Sequence, residues 1–147
     1  MDKKTILIVD DDKAILRSFK AILELDGYVV ETAETGQEAL EKSDAKFYNL
    51  ALLDIKLPDI EGTELLAEMH EHRPRTMKIM VTGNATLENA VESLNLGADA
   101  YIRKPVKPEE LLRIVEEKLK EQEEAESMNE EKVTAWIEDR LRKLESR

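Results

Sequence analysis

Short apolar runs alternate with amphipathic stretches along most of the chain. The runs predict five strands, over residues 5–9, 28–32, 50–53, 78–81 and 100–102. Apolar residues recur at helical spacing over residues 15–25, 35–43, 63–72, 87–96 and about 108–120, which predicts five helices. Strands that alternate with helices favour right-handed crossovers and a parallel sheet covered on both faces. The predicted fold class is therefore α/β, doubly wound.

The pattern changes after Lys120. Residues 121–126 are polar and mostly glutamate, and Ser127 with Glu130 has the spacing of a capping box, a sign of a helix start. Further apolar residues predict a C-terminal amphipathic helix of about five turns; they are Val133, Trp136, Ile137, Leu141 and Leu144. This helix is either separate from the preceding one or continuous with it. The chain thus divides into a domain of residues 1–121 and a tail of residues 122–147, which we interpret as a dimerisation or linker segment.

Composition narrows the class of protein. The 147 residues suffice for one domain with its own core, and no apolar run reaches the roughly 20 residues of a membrane span. The formal net charge of −11 argues against nucleic-acid binding by this chain alone. The charged N-terminus does not resemble a signal peptide, and the absence of cysteine excludes disulfides and thiolate metal sites. A cytoplasmic protein without a membrane partner is expected.

Charged and polar side chains follow four of the five predicted strands. In open parallel sheets, binding sites lie outside the carboxyl ends of the strands. Neighbouring strands are about 4.8 Å apart, so side chains at these ends can converge. They are Asp10, Asp11 and Asp12 after the first strand, Asp54 after the third, Thr82 after the fourth and Lys104 after the fifth.

The converging groups predict a phosphoryl-transfer site. Several carboxylates a few ångströms apart repel one another, and hard oxygen ligands without imidazole or thiolate favour Mg²⁺. Asp54 can then act as a nucleophile on phosphorus, while Lys104 and the metal neutralise the charge on the phosphoryl oxygens. Thr82 can hydrogen-bond one of these oxygens. Asp12 is as suitable for capping the first helix as for the site.

Four motifs in order carry a resemblance to a known family. They are VDDD at 9–12, LLDIKLPDIEG at 52–62, VTG at 81–83 and YIRKP at 101–105. Over about residues 3–120 the chain resembles the receiver domain of two-component response regulators, in particular chemotaxis-regulator-like receivers. The resemblance implies a flavodoxin-like sheet in the order 2-1-3-4-5 and an output surface on the fourth helix, fifth strand and fifth helix.

The resemblance also implies a role for each matching residue. Asp54 is expected to be the phosphoacceptor, Thr82 and Lys104 to bind the phosphoryl group, and Tyr101 to be the aromatic switch. Asp11 and Asp54 are expected to bind Mg²⁺ with the backbone carbonyl of Lys56, while Asp10 orients the ion through water. A cis bond between Lys104 and Pro105 is implied as well. Glu61 replaces the aspartate that the family often has, and Lys56 and Asn84 stand where the lifetime of the acyl phosphate is tuned.

The expected partners are a sensor histidine kinase or phosphotransfer protein and a downstream protein target, together with a second copy of the chain if the tail is a dimerisation segment. The domain is expected to be a switch that catalyses only its own phosphorylation and dephosphorylation, not an enzyme. The alternative is a Mg²⁺-dependent phosphatase with an aspartate nucleophile, but such enzymes place it after the first strand and carry a cap region. His70 and His72 do not share a helical face, so a metal site there is not expected.

Overall fold

The computed structural model describes residues 3–145; the two residues at each end, which belong to the predicted 1–121 and 122–147 segments, lie outside this range. Strands and helices alternate from β1 to α5. They are β1 (Thr5–Val9), α1 (Lys13–Leu25), β2 (Val29–Ala33), α2 (Gly36–Ala45), β3 (Leu50–Leu53), α3 (Gly62–His72), β4 (Met77–Thr82), α4 (Leu87–Asn95), β5 (Ala100–Arg103) and α5 (Pro108–Glu145). All strand pairs are parallel, in the order β2-β1-β3-β4-β5. The predicted doubly wound fold and strand order are confirmed.

Both faces of the sheet are buried, which explains the unbroken apolar runs in the sequence. Along β1, Ile6 and Ile8 belong to a core cluster with α1 and α5, and Leu7 and Val9 belong to a second cluster with α2 and α3. Successive strand residues point to opposite faces, so each central strand must be apolar throughout. The sheet therefore presents functional groups only at the ends of its strands.

Local signals set the ends of α1. The Asp12 side chain accepts hydrogen bonds from the amides of Ala14 at 2.9 Å and Ile15 at 3.4 Å, which is an N-cap. Asp12 thus takes the capping role, one of its two predicted alternatives. Beyond the other end of the helix, Gly27 has a φ of +92°, a left-handed conformation that favours glycine.

Helix α5 is longer than the predicted helix over residues 108–120. It runs without a break from Pro108 to Glu145, so Ser127 and Glu130 lie inside it and do not start a helix. The reading of this pair as a capping box is wrong, and the continuous alternative is the one observed. The last buried side chain of α5 is Gln122, and the apolar residues beyond it are exposed. Within residues 3–145, no helix combines the length and the apolar character needed to cross a membrane.

Gln122 joins α5 to the amino-terminal edge of the sheet. It is 4% exposed, and its Nε2 donates to the carbonyl oxygens of Asn49 at 2.8 Å and Arg75 at 2.7 Å. Its Oε1 accepts from Nδ2 of Asn49 at 3.2 Å, and Oδ1 of Asn49 in turn accepts from the amide of Thr5 at 3.0 Å. One buried carboxamide therefore connects α5 with the segments before β3 and β4.

We expect Gln122→Ala to lower the free energy of unfolding by about 2 kcal/mol, because it removes buried hydrogen-bond partners. Urea unfolding followed by circular dichroism measures the change. Gln37→Ala is the matched control, since Gln37 is exposed and bonds only to Glu41 at 3.2 Å through its side chain. Equal losses in the two variants would contradict a special role for Gln122.

Candidate functional site

The site lies at the carboxyl edge of the sheet, where β1 and β3 end side by side. Parallel hydrogen bonding continues one residue past each strand: the Asp10 amide donates to Ala33 O at 3.1 Å, and the Asp54 amide donates to Val9 O at 3.0 Å. These bonds hold both aspartates in register. Carboxylate oxygens of Asp10, Asp11 and Asp54 all lie within 4.8 Å of one another. The predicted convergence of these three side chains is therefore observed.

Lys104 brings a positive charge to this acidic cluster. Its Nζ donates to Oδ2 of Asp10 at 2.7 Å and to Oδ2 of Asp54 at 3.4 Å, and its side chain is 16% exposed. The backbone amide of Lys104 donates to Thr82 O at 2.9 Å, which ties the loop after β5 to the end of β4. The bond between Lys104 and Pro105 is cis, as the resemblance implied.

Burial shifts the pKa values of Asp54 and Lys104, and the opposite charge of the partner side chain counteracts this shift in each case. Desolvation raises the pKa of Asp54; the Lys104 ammonium opposes this, and the charge of Asp10 adds to it. Desolvation on its own would lower the pKa of Lys104, but the hydrogen bonds and charges of Asp10 and Asp54 outweigh it and raise that pKa. The site therefore keeps its lysine charged while it disfavours the Asp54 carboxylate relative to water.

Thr82 and Tyr101 lie on the neighbouring strands β4 and β5. Thr82 is buried, and its Oγ1 accepts from the amide of Asn84 at 3.1 Å. The Tyr101 ring is half-buried against the second core cluster. Among the described residues its buried hydroxyl has no hydrogen-bond partner. Burying a hydroxyl group without a hydrogen bond costs free energy. The position of the Tyr101 ring is therefore set by its other contacts and not by its hydroxyl.

The loop between β3 and α3 is fixed by residues to which the sequence analysis gave no role. Asp59 accepts hydrogen bonds at 2.8 Å from the amides of Gly36 and Gln37 at the start of α2, which lower the pKa of Asp59. Any side chain on Gly62 would collide with the backbone of Asp54 and Ile55. Gly62 stands in a quoted motif, but the partners of Asp59 are more than 20 residues away, so no local signal predicts them.

The side chains of the remaining predicted residues lie outside this cluster. The side chain of Lys56 is exposed, and its backbone amide acts to lower the pKa of Asp54 against the stronger effect of burial. His70 and His72 are exposed on α3, and a ring nitrogen of His72 contacts the Glu68 carbonyl at 2.9 Å. The exposed apolar residues around Trp136 belong to the part of α5 beyond Gln122.

The donor set at the carboxyl edge fits a hard divalent cation. Asp10, Asp11 and Asp54 offer only oxygen atoms, and Asp11 is exposed and accessible from solvent. Mg²⁺ favours one or two carboxylates together with water and phosphate oxygens. Three carboxylates against one ammonium also leave a net negative charge, which a divalent cation would balance.

Comparison with known proteins agrees with this geometry. The model of the response regulator receiver domain matches residues 6–116. The uncharacterised transcriptional regulatory protein YkoG of Bacillus subtilis (strain 168) is 37% identical over 112 residues, which are 76% of this chain and 49% of YkoG. Transcriptional regulatory protein SrrA of Staphylococcus aureus (strain NCTC 8325 / PS 47) is 39% identical over 107 residues, 73% of this chain and 44% of SrrA. The chain therefore spans about half or less of these curated relatives.

Solved structures show the same architecture. A CheY-like receiver domain protein from Methanospirillum hungatei JF-1 is 62% identical and superimposes with a TM-score of 0.83. The superposition covers 84% of this chain and 99% of that one. NtrX from Brucella abortus is 29% identical, with a TM-score of 0.81 over 88% of this chain and 29% of NtrX.

The doubly wound parallel sheet, the acidic cluster and lysine at its carboxyl edge, and these comparisons together identify a receiver-type domain. The chain belongs to the response regulator receiver domain family of two-component systems. Members of this family are phosphoacceptor switches that bind Mg²⁺ in an acidic pocket and interact with histidine kinases and downstream effectors.

The raised pKa of Asp54 gives a prediction for stability. A carboxyl whose pKa is higher in the folded than in the unfolded state destabilises the fold when ionised, so Asp54→Asn should increase the melting temperature at neutral pH. The gain should shrink as the pH falls through the raised pKa of Asp54, because wild-type Asp54 then also becomes neutral. Melting curves at neutral and acidic pH, without divalent cations, measure it. The surface variant Asp44→Asn should show no such gain, and an equal gain there would contradict the prediction.

Proposed function

We propose that this chain is a phosphoacceptor switch that carries its phosphoryl group on Asp54. The donor is the phosphohistidine of a sensor histidine kinase or phosphotransfer protein, or a small phosphodonor. The observation that carries the proposal is the Asp54 carboxylate at a strand end, 9% exposed, 3.4 Å from the Lys104 ammonium and beside Asp10. Membership of a family of phosphoacceptor switches supports it.

Each side chain has a separate task in the transfer. An oxygen of the Asp54 carboxylate forms a bond to phosphorus while the bond between phosphorus and the donor imidazole nitrogen breaks. The Lys104 ammonium moves its interaction from the carboxylates to a phosphoryl oxygen, and the Thr82 hydroxyl donates to another oxygen. Charge on the transferred group is thereby matched by residues already in position.

Asp10, Asp11 and Asp54 would hold Mg²⁺, together with the backbone carbonyl of Lys56. When bound, the ion supplies positive charge against the phosphoryl oxygens and relieves repulsion among the carboxylates. The exposed position of Asp11 and the buried position of Asp10 support different tasks, direct coordination for Asp11 and orientation through water for Asp10.

The output of the switch is a change at the surface formed by α4, β5 and the first part of α5. Tyr101 connects the site with this surface, and its unpaired buried hydroxyl supports a ring whose position can change with Thr82. The target is a downstream protein. YkoG and SrrA are transcriptional regulatory proteins, but this chain spans less than half of either, so DNA binding is not assigned to it.

We also propose, from membership of this family, that the switch is cytoplasmic and catalyses only its own phosphorylation and dephosphorylation. The receiver would occupy residues 1–121, and residues 122–147 would form the tail. A Mg²⁺-dependent phosphatase is not favoured, because Asp54 follows β3 and the family model covers residues 6–116 of the chain.

Labelling with a small acyl phosphate and Mg²⁺ tests the proposal. Wild type should take up about one phosphoryl group per chain, and Asp54→Asn should take up none. Lys104→Ala should slow labelling by about a hundredfold, because it removes a preorganised charge at the phosphoryl oxygens. A chelator should abolish labelling. Intact-protein mass spectrometry measures each result.

Asp12→Asn is the matched control, because Asp12 is an exposed carboxylate next to the site and asparagine also caps helices. It should be labelled like wild type. Equal labelling of Asp54→Asn and wild type would contradict the assignment of Asp54, and steady turnover of phosphate monoesters would favour the phosphatase instead.

A further inference from the structure

The loop between β3 and α3 is attached at its tip to the start of α2. Both oxygens of the Asp59 carboxylate accept from this helix, Oδ1 from the amide of Gly36 and Oδ2 from the amide of Gln37, each at 2.8 Å. Oδ1 also accepts from the amide of Ile60 at 3.1 Å. The first amides of a helix have no partner within it, and this end carries a partial positive charge, so a carboxylate is stabilised there. An anion of the loop therefore occupies the start of α2.

Packing at the same place supports these hydrogen bonds. A Cβ on Gly36 would lie 2.4 Å from side-chain carbons of Ile60, so the loop lies directly on the backbone of α2. The side chains of Leu57 and Ile60 are partly buried against the second core cluster. The tip of the loop is thus held on α2 by polar and apolar contacts together.

The base of the loop is closed on itself. Lys56 and Glu61 form an isolated antiparallel bridge, and the amide of Gly62 donates to Ile55 O at 2.5 Å. The acceptor in this bond is the carbonyl of Ile55, so the bond does not occupy the carbonyl of Lys56. Because the base is closed, the loop moves as a unit. The position of the Lys56 carbonyl therefore depends on how the whole loop is held.

The attachment of the tip joins the segments that follow the two neighbours of β1. In the order β2-β1-β3, α2 follows β2 and the loop follows β3. Between them, β1 is followed by Asp10 and Asp11, and the Asp10 amide donates to Ala33 O at the end of β2 at 3.1 Å. The carboxylates after β1 and the loop that contains Lys56 are thus held relative to each other through the start of α2.

We propose that Asp59 is a positioning residue for the divalent cation: by anchoring the loop on α2, it holds the backbone carbonyl of Lys56 in place relative to the acidic cluster. This role rests on the proposed function, in which that carbonyl and the cluster bind Mg²⁺. The ion demands near-ideal octahedral geometry with ligands at about 2.0–2.1 Å, so a small displacement of one ligand weakens binding. Asp59 acts from outside the ligand set, because both of its oxygens are occupied by amides of α2.

Titration with Mg²⁺ alone, by isothermal titration calorimetry, tests this role without a phosphodonor. Groups that orient metal ligands from outside the ligand set contribute about 10- to 100-fold to affinity. Asp59 acts through the backbone of the loop, so Asp59→Ala should bind Mg²⁺ about tenfold more weakly than wild type, at the lower end of this range. Equal affinities of Asp59→Ala and wild type would overturn the proposed role.

Thr35→Ala is the matched control. Thr35 caps the same helix, since its Oγ1 accepts from the amide of Glu38 at 3.0 Å, and it makes this bond without contacting the loop through it. The variant therefore weakens the same turn of α2 while Asp59 keeps its two amides. It should bind Mg²⁺ like wild type. A loss as large as that of Asp59→Ala would show that only the stability of α2 matters, which would overturn the positioning role.

Asp59→Asn separates anchoring from charge. Alanine and asparagine both remove the negative charge, but asparagine keeps one carbonyl oxygen that can accept from the amide of Gly36. Its affinity for Mg²⁺ should therefore lie between those of wild type and Asp59→Ala. An asparagine variant as weak as the alanine variant would assign the whole loss to charge and overturn anchoring. Circular dichroism spectra like that of wild type show that each variant is folded.

The Mg²⁺ dependence of labelling is a second readout. In Asp59→Ala the Mg²⁺ concentration that gives half the maximal labelling rate should rise about tenfold, in line with the affinity. The rate at saturating Mg²⁺ should fall less than about twofold, because the bound ion restores the ligand set. A lower maximal rate at an unchanged half-saturating concentration would place Asp59 in the transfer step and overturn the positioning role.

Failure of the proposed function would look different. A wild-type chain that binds no Mg²⁺ would contradict the metal site itself and, with it, the role of Asp59. A wild-type chain that binds Mg²⁺ and is labelled on Asp54, with Asp59→Ala unchanged in both measurements, would overturn the role of Asp59 alone.

Discussion

The neighbouring parallel strands β1 and β3 end in buried carboxylates, and the ammonium of Lys104 balances the repulsion between them. The same hydrogen-bond ladder that builds the sheet fixes Asp10 and Asp54 in register, so the sheet cannot form without bringing their charges together. The cation comes from the loop after β5, which a backbone hydrogen bond to Thr82 holds in place. Fold and site are thus two results of one arrangement of strand ends. A phosphoryl group and a divalent cation would enter a site in which the Lys104 ammonium already faces the carboxylates of Asp10 and Asp54.

Much of this arrangement could be predicted from the sequence. Apolar runs such as that of β1 identify strands buried on both faces, and the residues after them identify the carboxyl edge. The parts that could not be predicted depend on contacts distant in sequence. Asp59 fixes the loop after β3 by capping α2, and Gln122 bonds to carbonyl groups of Asn49 and Arg75. Neither contact leaves a local pattern.

The end of α5 was difficult to predict for a different reason. Ser127 and Glu130 carry the spacing of a helix start, yet the surrounding glutamate, lysine and alanine residues have high helix propensity, and no glycine or proline interrupts them. The helix therefore continues, and the polar stretch is its solvated part. Two sources of stability are joined in this one helix. Up to Gln122 it is stabilised by the core, and beyond it by exposed ion pairs such as Glu126 with Arg75 and Lys143 with Asp139.

Because its backbone is uninterrupted, α5 can move as a rigid rod that pivots where it packs on the sheet. From Gln122 to its end the helix extends about 35 Å beyond the folded domain. A rigid tilt of only about 5° about Gln122 displaces the end of α5 by roughly 3 Å, because the displacement grows with the distance from the pivot. A repacking too small to change the core would therefore be amplified at the far end of α5, where it changes which of the exposed residues can be contacted from outside.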